Sequence, residues 1–546
     1  MENSDHPTEG DPLKREDGAK AGMPASTSTE KLKKSCKDFG FAKLTHWRTA
    51  VFFFSLFLCL TVVFAFSFII PCPVRPQYLI SWNRTFNDTA TYDFMAVEDA
   101  SKDKVMDVLF VIKSSEGSQN NSCAGEGLPS PCIFVLAVDG TDGETLWERP
   151  LEPEFHWAQC GLAIDSSRSW DCLVSHSDKL TAIDKYTGEV QWQQSQTAGK
   201  PSTVPVLSLP DLDGDKVGDV ALLAHDSERT EVVFLSGKTG LQIGSTVPLD
   251  TTKTDNHLLY RTKGGSYYIL LEKDTGLFGL SLWRVAAEAK AGIEAGLTKN
   301  KDWERKANAT TGLVYIFKSD QVRQVLKTAE KDDSNLLLVT GTGVVQVNGN
   351  LEMLWMYNTS LILGTPSFGH FNKDGILDVV IEVDVGNNTK KVIILDGESG
   401  IIVWDVPLQA SPNSPQPASI YTSNIFSVFM FWGLSLTETN SSMQVTPNRR
   451  AYMFHPLYSN VLLESANVVD HIIAFRATLL EHGRHAAYFT LTGPGSEGDE
   501  GTVILNKRKL KQDVPESRVI RIGPGGDTDT NEDIKEAFNR LRFSDE

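Results

Sequence analysis

The residues best placed to do chemistry are the aspartates of DLDGDKVGD. Asp211, Asp213, Asp215 and Asp219 take its first, third, fifth and ninth positions, between the apolar runs VPVLSL and VALLA. Carboxylates crowded this closely repel one another. A hard cation that collects oxygens from alternate side chains, together with the backbone carbonyl of Val217, relieves the repulsion. Calcium suits such an oxygen set. An EF-hand would need Glu at position twelve, which is Leu222 here, and the flanks read as strands. Two other stretches keep part of the pattern. FGHFNKDGILD has Asn372, Asp374 and Asp378 but starts on His370, and DASKDKVMD has Asp99, Asp103 and Asp107 but Ser101 at its third position. Each has given up a carboxylate, so the expectation is weaker calcium binding or a turn that only holds hairpin geometry.

Elements that could carry such loops recur along the chain. An apolar strand, an Asp or Asn, a Gly-containing turn and a second strand that usually ends in Trp appear as AVDGTDGETLW, AIDKYTGEVQW, FLSGKTGLQI, VQVNGNLEMLW and ILDGESGIIVW. Gly143, Gly188, Gly240 and Gly400 hold matched positions where a hairpin needs positive φ, and the terminal Trp can cover the space between neighbouring sheets. Trp147 and Trp192 are 45 residues apart and Trp355 and Trp404 are 49 apart, the size of a four-stranded propeller blade. The copies resemble the blade motif of quinoprotein-type propellers. The DLDGDKVGD loop resembles the FG-GAP calcium loop of integrin α-chain propellers, with Gly214 one place early and Lys216 in the usual Gly position. The predicted fold is all-β: a propeller of about seven or eight blades over residues 85–510, behind a single N-terminal transmembrane helix.

That helix is expected at residues 49–70, an uncharged run, TAVFFFSLFLCLTVVFAFSFII, long enough to cross a bilayer core. Lys31, Lys33, Lys34, Lys37, Lys43 and Arg48 precede it, whereas only Arg75 and Arg84 follow closely, which places the N-terminus in the cytoplasm. The protein is thus expected to be single-pass and type II, by default at the plasma membrane. Residues 1–48 read as a disordered tail, 71–84 as a stalk, and 511–546 as a C-terminal segment. In that segment Asn531 to Phe543 forms an amphipathic helix with Ile534, Phe538 and Leu541 on one face. Seven sequons follow the apolar run, at Asn83, Asn87, Asn120, Asn308, Asn358, Asn387 and Asn440, where luminal glycosylation could reach them. Cysteine spacing predicts disulfides Cys123 with Cys132 and Cys160 with Cys172, leaving Cys72 beside the membrane to pair between chains or stay free.

The anchor, its IIPCP exit, the FG-GAP loops and the late run RAYMFHP together resemble the membrane proteins of family with sequence similarity 234, most closely its A branch. The resemblance covers nearly the whole chain, implies a cell-surface glycoprotein and brings no established chemistry. A formal net charge of −18 argues against nucleic-acid binding. The leading reading is a non-enzymatic protein-binding or scaffold module stiffened by calcium, with the protein partner unknown and no small-molecule substrate identified. The alternative is a quinoprotein-like dehydrogenase, and the chain has no adjacent cysteine pair of the kind such enzymes place over the cofactor. Gly237-Lys238-Thr239 lacks the earlier Gly of a phosphate loop, and His482 and His485 in HGRHAAY read as a loop entering a strand.

Overall fold

The computed structural model describes residues 41–69 and 81–545, apart from 120, 163–169, 196–201, 226–228, 250–255, 274–275, 293–296, 320, 330–332, 411–413, 435–448, 482–484, 496–499 and 524–528. Residues 1–40 of the tail expected over 1–48, Cys72 in the stalk, the sequons Asn120 and Asn440, and His482 lie outside the described residues, whereas residues 41–48, expected to be disordered, are helical.

Strands such as Cys132–Val138 and Leu336–Thr340 are buried at every position. They read as unbroken apolar runs because sheets cover both of their faces. The described residues build six antiparallel sheets, two of which each carry a pair of blades, so that eight propeller blades follow one another along the chain. Blades 2 to 6 occupy residues 155–195, 202–249, 257–318, 322–358 and 362–409. Blade 7 spans 418–468 and gains a fifth strand, Arg518–Arg521, on its outer edge. The long strand Ser81–Glu98 belongs to two blades. Its first half pairs with Gly501–Lys509 and completes blade 8, while its second half pairs with Asp107–Ser114 and starts blade 1. The ring is therefore closed by hydrogen bonds, and no blade edge is left exposed at the seam.

The recurrent tryptophans join one blade to the next. Trp82, Trp147, Trp192, Trp355 and Trp404 stand near the start of outer strands, which run on past the indole instead of ending at it, and donate their indole N–H groups to carbonyls in the following blade, those of Gly140, Lys185, Gly237, Gly397 and Ser459, at 2.7–3.2 Å. Trp303, on the short helix Lys301–Lys306, does the same to Gly349 at 3.1 Å. Four of the rings, Trp82, Trp147, Trp192 and Trp355, also lie under a turn glycine, Gly143, Gly188, Gly240 and Gly400. A Cβ on Gly188, whose φ is +68°, would come within 2.5 Å of the Trp147 ring, so the position demands glycine for its backbone and for the close approach alike. Elsewhere the joint is made differently. The helix Leu282–Ala289 packs between blades 3 and 4, and Trp432 of blade 7 meets Phe475 and Tyr488 of blade 8 edge-on.

Both expected disulfides, Cys123–Cys132 and Cys160–Cys172, are formed. The C-terminal helix Asn531–Arg540 starts with a reciprocal Thr530–Asp533 cap and buries Ile534 and Phe538, with Leu541 just past its end, in the core of blade 7. The N-terminal helix Phe41–Ile69 begins ahead of Thr49. Within it His46–Phe64, with a mean hydropathy of 1.9, is long and apolar enough to cross a membrane, and the side chains described there are exposed.

Candidate metal centre

The three acidic loops occupy equivalent places, each linking the first and second strands of its blade: blade 1 for Asp99 to Asp107, blade 3 for Asp211 to Asp219, and blade 6 for His370 to Asp378. Their local folding follows from side chains accepting from the backbone just ahead of them. Asp211 accepts from the N–H groups of Gly214 and Lys216 at 2.6 and 2.8 Å, and Asp99 accepts likewise from Lys102 and Lys104 at 2.7 and 3.2 Å. Asp213 and Asp215 each accept from the residue two places on, Asp215 and Val217, as Asn372 and Asp374 do from Asp374 and Ile376. Lys216, in the place of the FG-GAP glycine, adopts a left-handed φ of +70°, and Gly375 in the blade 6 loop has +76°.

In the blade 3 loop the carboxylates of Asp211, Asp213 and Asp215 offer oxygens that all lie within 4.8 Å of one another, at the protein surface. Asp219 is placed differently. It is fully buried and accepts from the N–H groups of Leu212 at 2.6 Å and Gly237 at 2.9 Å. Asp107 repeats this with Ala100 and Gly140, and Asp378 repeats it with Phe371 and Gly397. In each loop the last aspartate thus latches the first inter-strand loop to the turn between strands three and four. Burial pushes these carboxyls up, Asp219 to about 6 and Asp107 to about 7, against the pull of the two N–H groups; Asp378 moves the same way. A Cβ on Gly140 would fall 1.8 Å from the Met106 carbonyl oxygen, which is why glycine supplies the donor there.

The blade 6 loop gathers a second group, Asp374, Asp378 and Asp396, again with oxygens within 4.8 Å. Asp396 was not singled out as a ligand from the sequence. It opens the ILDGESG turn, and the structure brings it to the acidic loop, where it accepts from Asn372 Nδ2 at 2.8 Å. The signal was present in the blade motif itself, whose turn faces the acidic loop of the same blade. Asp99 and Asp103 of blade 1 belong to neither of the two groups found among the described residues.

The FAM234A/B beta-propeller family profile matches residues 82–544. Mouse Protein FAM234A is 37% identical over 558 residues, covering 100% of both chains, and human Protein FAM234A is 36% identical, covering 98% of this chain and 95% of its own. This chain belongs to the FAM234 family. Within the family it stands nearer the A branch, since human Protein FAM234B is 28% identical over 92% of this chain and 83% of its own. A solved structure, the WD40 domain of SCAP from fission yeast, aligns over 78% of this chain and 98% of its own at 12% identity with a TM-score of 0.41.

The remaining candidate positions of this FAM234 propeller are dispersed. The side chains of Asn83, Asn87, Asn308, Asn358 and Asn387 are all exposed. Gly237-Lys238-Thr239 forms the turn whose first N–H is held by Asp219, and His485 opens the strand His485–Thr492 outside both carboxylate groups.

Proposed function

We propose that this chain is a single-pass type II cell-surface glycoprotein whose propeller is a calcium-stiffened, non-enzymatic protein-binding or scaffold module. The observation that carries the reading is the convergence of Asp211, Asp213 and Asp215 on one loop. A second convergence, Asp374, Asp378 and Asp396, lies on the same face of the ring, because both loops join first to second strands. Calcium bound there would draw the carboxylates together and rigidify that face as a docking surface. The orientation is supported by the lysine-rich flank before the apolar helix, by two disulfides of the kind kept in oxidising compartments, and by the exposed sequon asparagines beyond the helix.

Calorimetric titration of calcium into the glycosylated full-length protein is the test. Saturable binding is expected, and the Asp213→Ala/Asp215→Ala variant is expected to lose the blade 3 component. A wild type that takes up no calcium would remove the metal from this reading and leave two acidic turns.

A further inference from the structure

Blade 6 buries a charged pair beside a cleft. Lys390 Nζ lies 2.6 Å from Glu382 Oε2, with the two side chains only 1% and 4% exposed. The second carboxylate oxygen, Glu382 Oε1, is buried and has no hydrogen-bond partner among the described residues. Burial pushes the Glu382 carboxyl up and the Lys390 ammonium down, each opposed by the other's charge. Buried pairs of this kind seldom return their desolvation cost as stability, and an orphaned oxygen raises the cost further.

The pair lines a cleft of about 910 Å³ between blades 6 and 7, bordered by Asp384, Asn387, Gln409 and Gln416. This volume falls in the range of small-ligand sites, roughly 300 to 1,000 Å³. The strand Asp378–Gly386 runs from the acidic loop at one end to the cleft at the other, so the cleft opens on the opposite side of the blade from the carboxylate groups described above. Glu382 and Lys390 neutralise each other, so an ion of either sign meets a like charge in the pair, and an anion meets Asp384 as well. A neutral hydroxyl can donate to Glu382 Oε1 and accept from Lys390 Nζ, while the amides of Gln409 and Gln416 at the rim do both.

We propose that this cleft binds the neutral hydroxyls of a saccharide, with Glu382 and Lys390 as its floor and Gln409 and Gln416 as its rim. The site uses neither acidic loop and is independent of calcium. Two sources offer the same chemistry. One is a glycan carried by Asn387, the exposed sequon residue that borders the cleft; the other is a saccharide from outside the chain.

The test probes full-length protein in lipid nanodiscs with an array of neutral oligosaccharides ending in mannose, glucose, galactose or N-acetylglucosamine. The wild type is compared with Asn387→Gln, Glu382→Met/Lys390→Met and Gln409→Ala/Gln416→Ala. Replacing both charges by apolar groups of similar length avoids stranding either one, so the Met pair should fold as the wild type does by circular dichroism. Retention of at least one oligosaccharide is expected, with affinity falling about tenfold or more in each double variant. Retention by Asn387→Gln but not by the wild type would mean that the chain's own glycan fills the cleft. Failure of both proteins to retain any oligosaccharide overturns the proposal, as does binding that both double variants leave unchanged. Should the Met pair misfold, the exposed Gln409 and Gln416 variant decides alone.

Discussion

Asp219→Ala would leave the Leu212 and Gly237 N–H groups buried without an acceptor. Each orphaned donor costs about 1–3 kcal/mol, so a loss of roughly 2–6 kcal/mol is expected, read as a lowered denaturation midpoint. Asp213→Ala at the exposed end of the same loop should stay within about 0.5 kcal/mol of the wild type in calcium-free buffer. Equal losses would show that Asp219 is no latch. In the sequence these two aspartates look alike, since both fall on the alternating pattern that suggests a cation. What separates them is tertiary, a glycine 18 residues further on that comes back across the blade. The same physics hid Asp396, which the sequence presents as a turn residue. By contrast, the Trp and Gly of the blade motif were legible because their demands are local and repeat: a positive φ at the turn and a large flat ring a few residues into the outer strand.

Among the elements, the C-terminal helix was readable from its apolar face, but its partner was not. His455, fully buried at the start of the turn Pro456–Tyr458, packs its ring against Phe538 of that helix and accepts from the Leu457 N–H through Nδ1. Burial lowers its pKa to about 4, whereas an unfolded histidine titrates near 6.5. The folded state therefore binds the proton less readily. Stability from the neutral ring is complete above about pH 6.5 and is lost progressively as the pH falls towards 4. His455→Asn keeps a side-chain acceptor for Leu457 and removes the titration. The expected result is a shallower fall in thermal midpoint between pH 6.5 and 4 than in the wild type, the difference approaching at most about 1.4 kcal/mol per pH unit. Buried His176, also lowered to about 4, is common to both proteins and cancels in the comparison. Parallel pH profiles would sink the assignment. Blade 7, faint in the sequence, is also the blade that takes an extra strand and this helix, with Trp432 packed edge-on against blade 8 in place of a tryptophan-to-carbonyl joint.

At the scale of the whole molecule, stability depends on a closed ring, and the closure rests on one strand with two allegiances. One core cluster contains Trp82 and Phe86 from the first half of Ser81–Glu98, Phe489 and Leu491 from blade 8, and Val108 and Phe110 from blade 1. The Phe86 ring centroid lies 5.6 Å from that of Phe110, so its packing spans the seam. Phe86→Ala should cost about 3–5 kcal/mol, the usual range for emptying a buried aromatic site. The more telling outcome is spatial. If the seam couples the ends of the chain, hydrogen exchange should speed up together at Asp107–Ser114 in blade 1 and His485–Thr492 in blade 8, while blade 5 keeps its protection. Leu338→Ala, at a fully buried site inside blade 5, is the matched control, expected to cost about 2–5 kcal/mol and to loosen its own blade first. The sequence separation between the seam strands is nearly the whole length of the propeller, so their contact is costly to form and cannot be replaced by a local one. Exchange that quickens only beside Phe86, leaving blade 8 untouched, would mean that the ring holds without its seam.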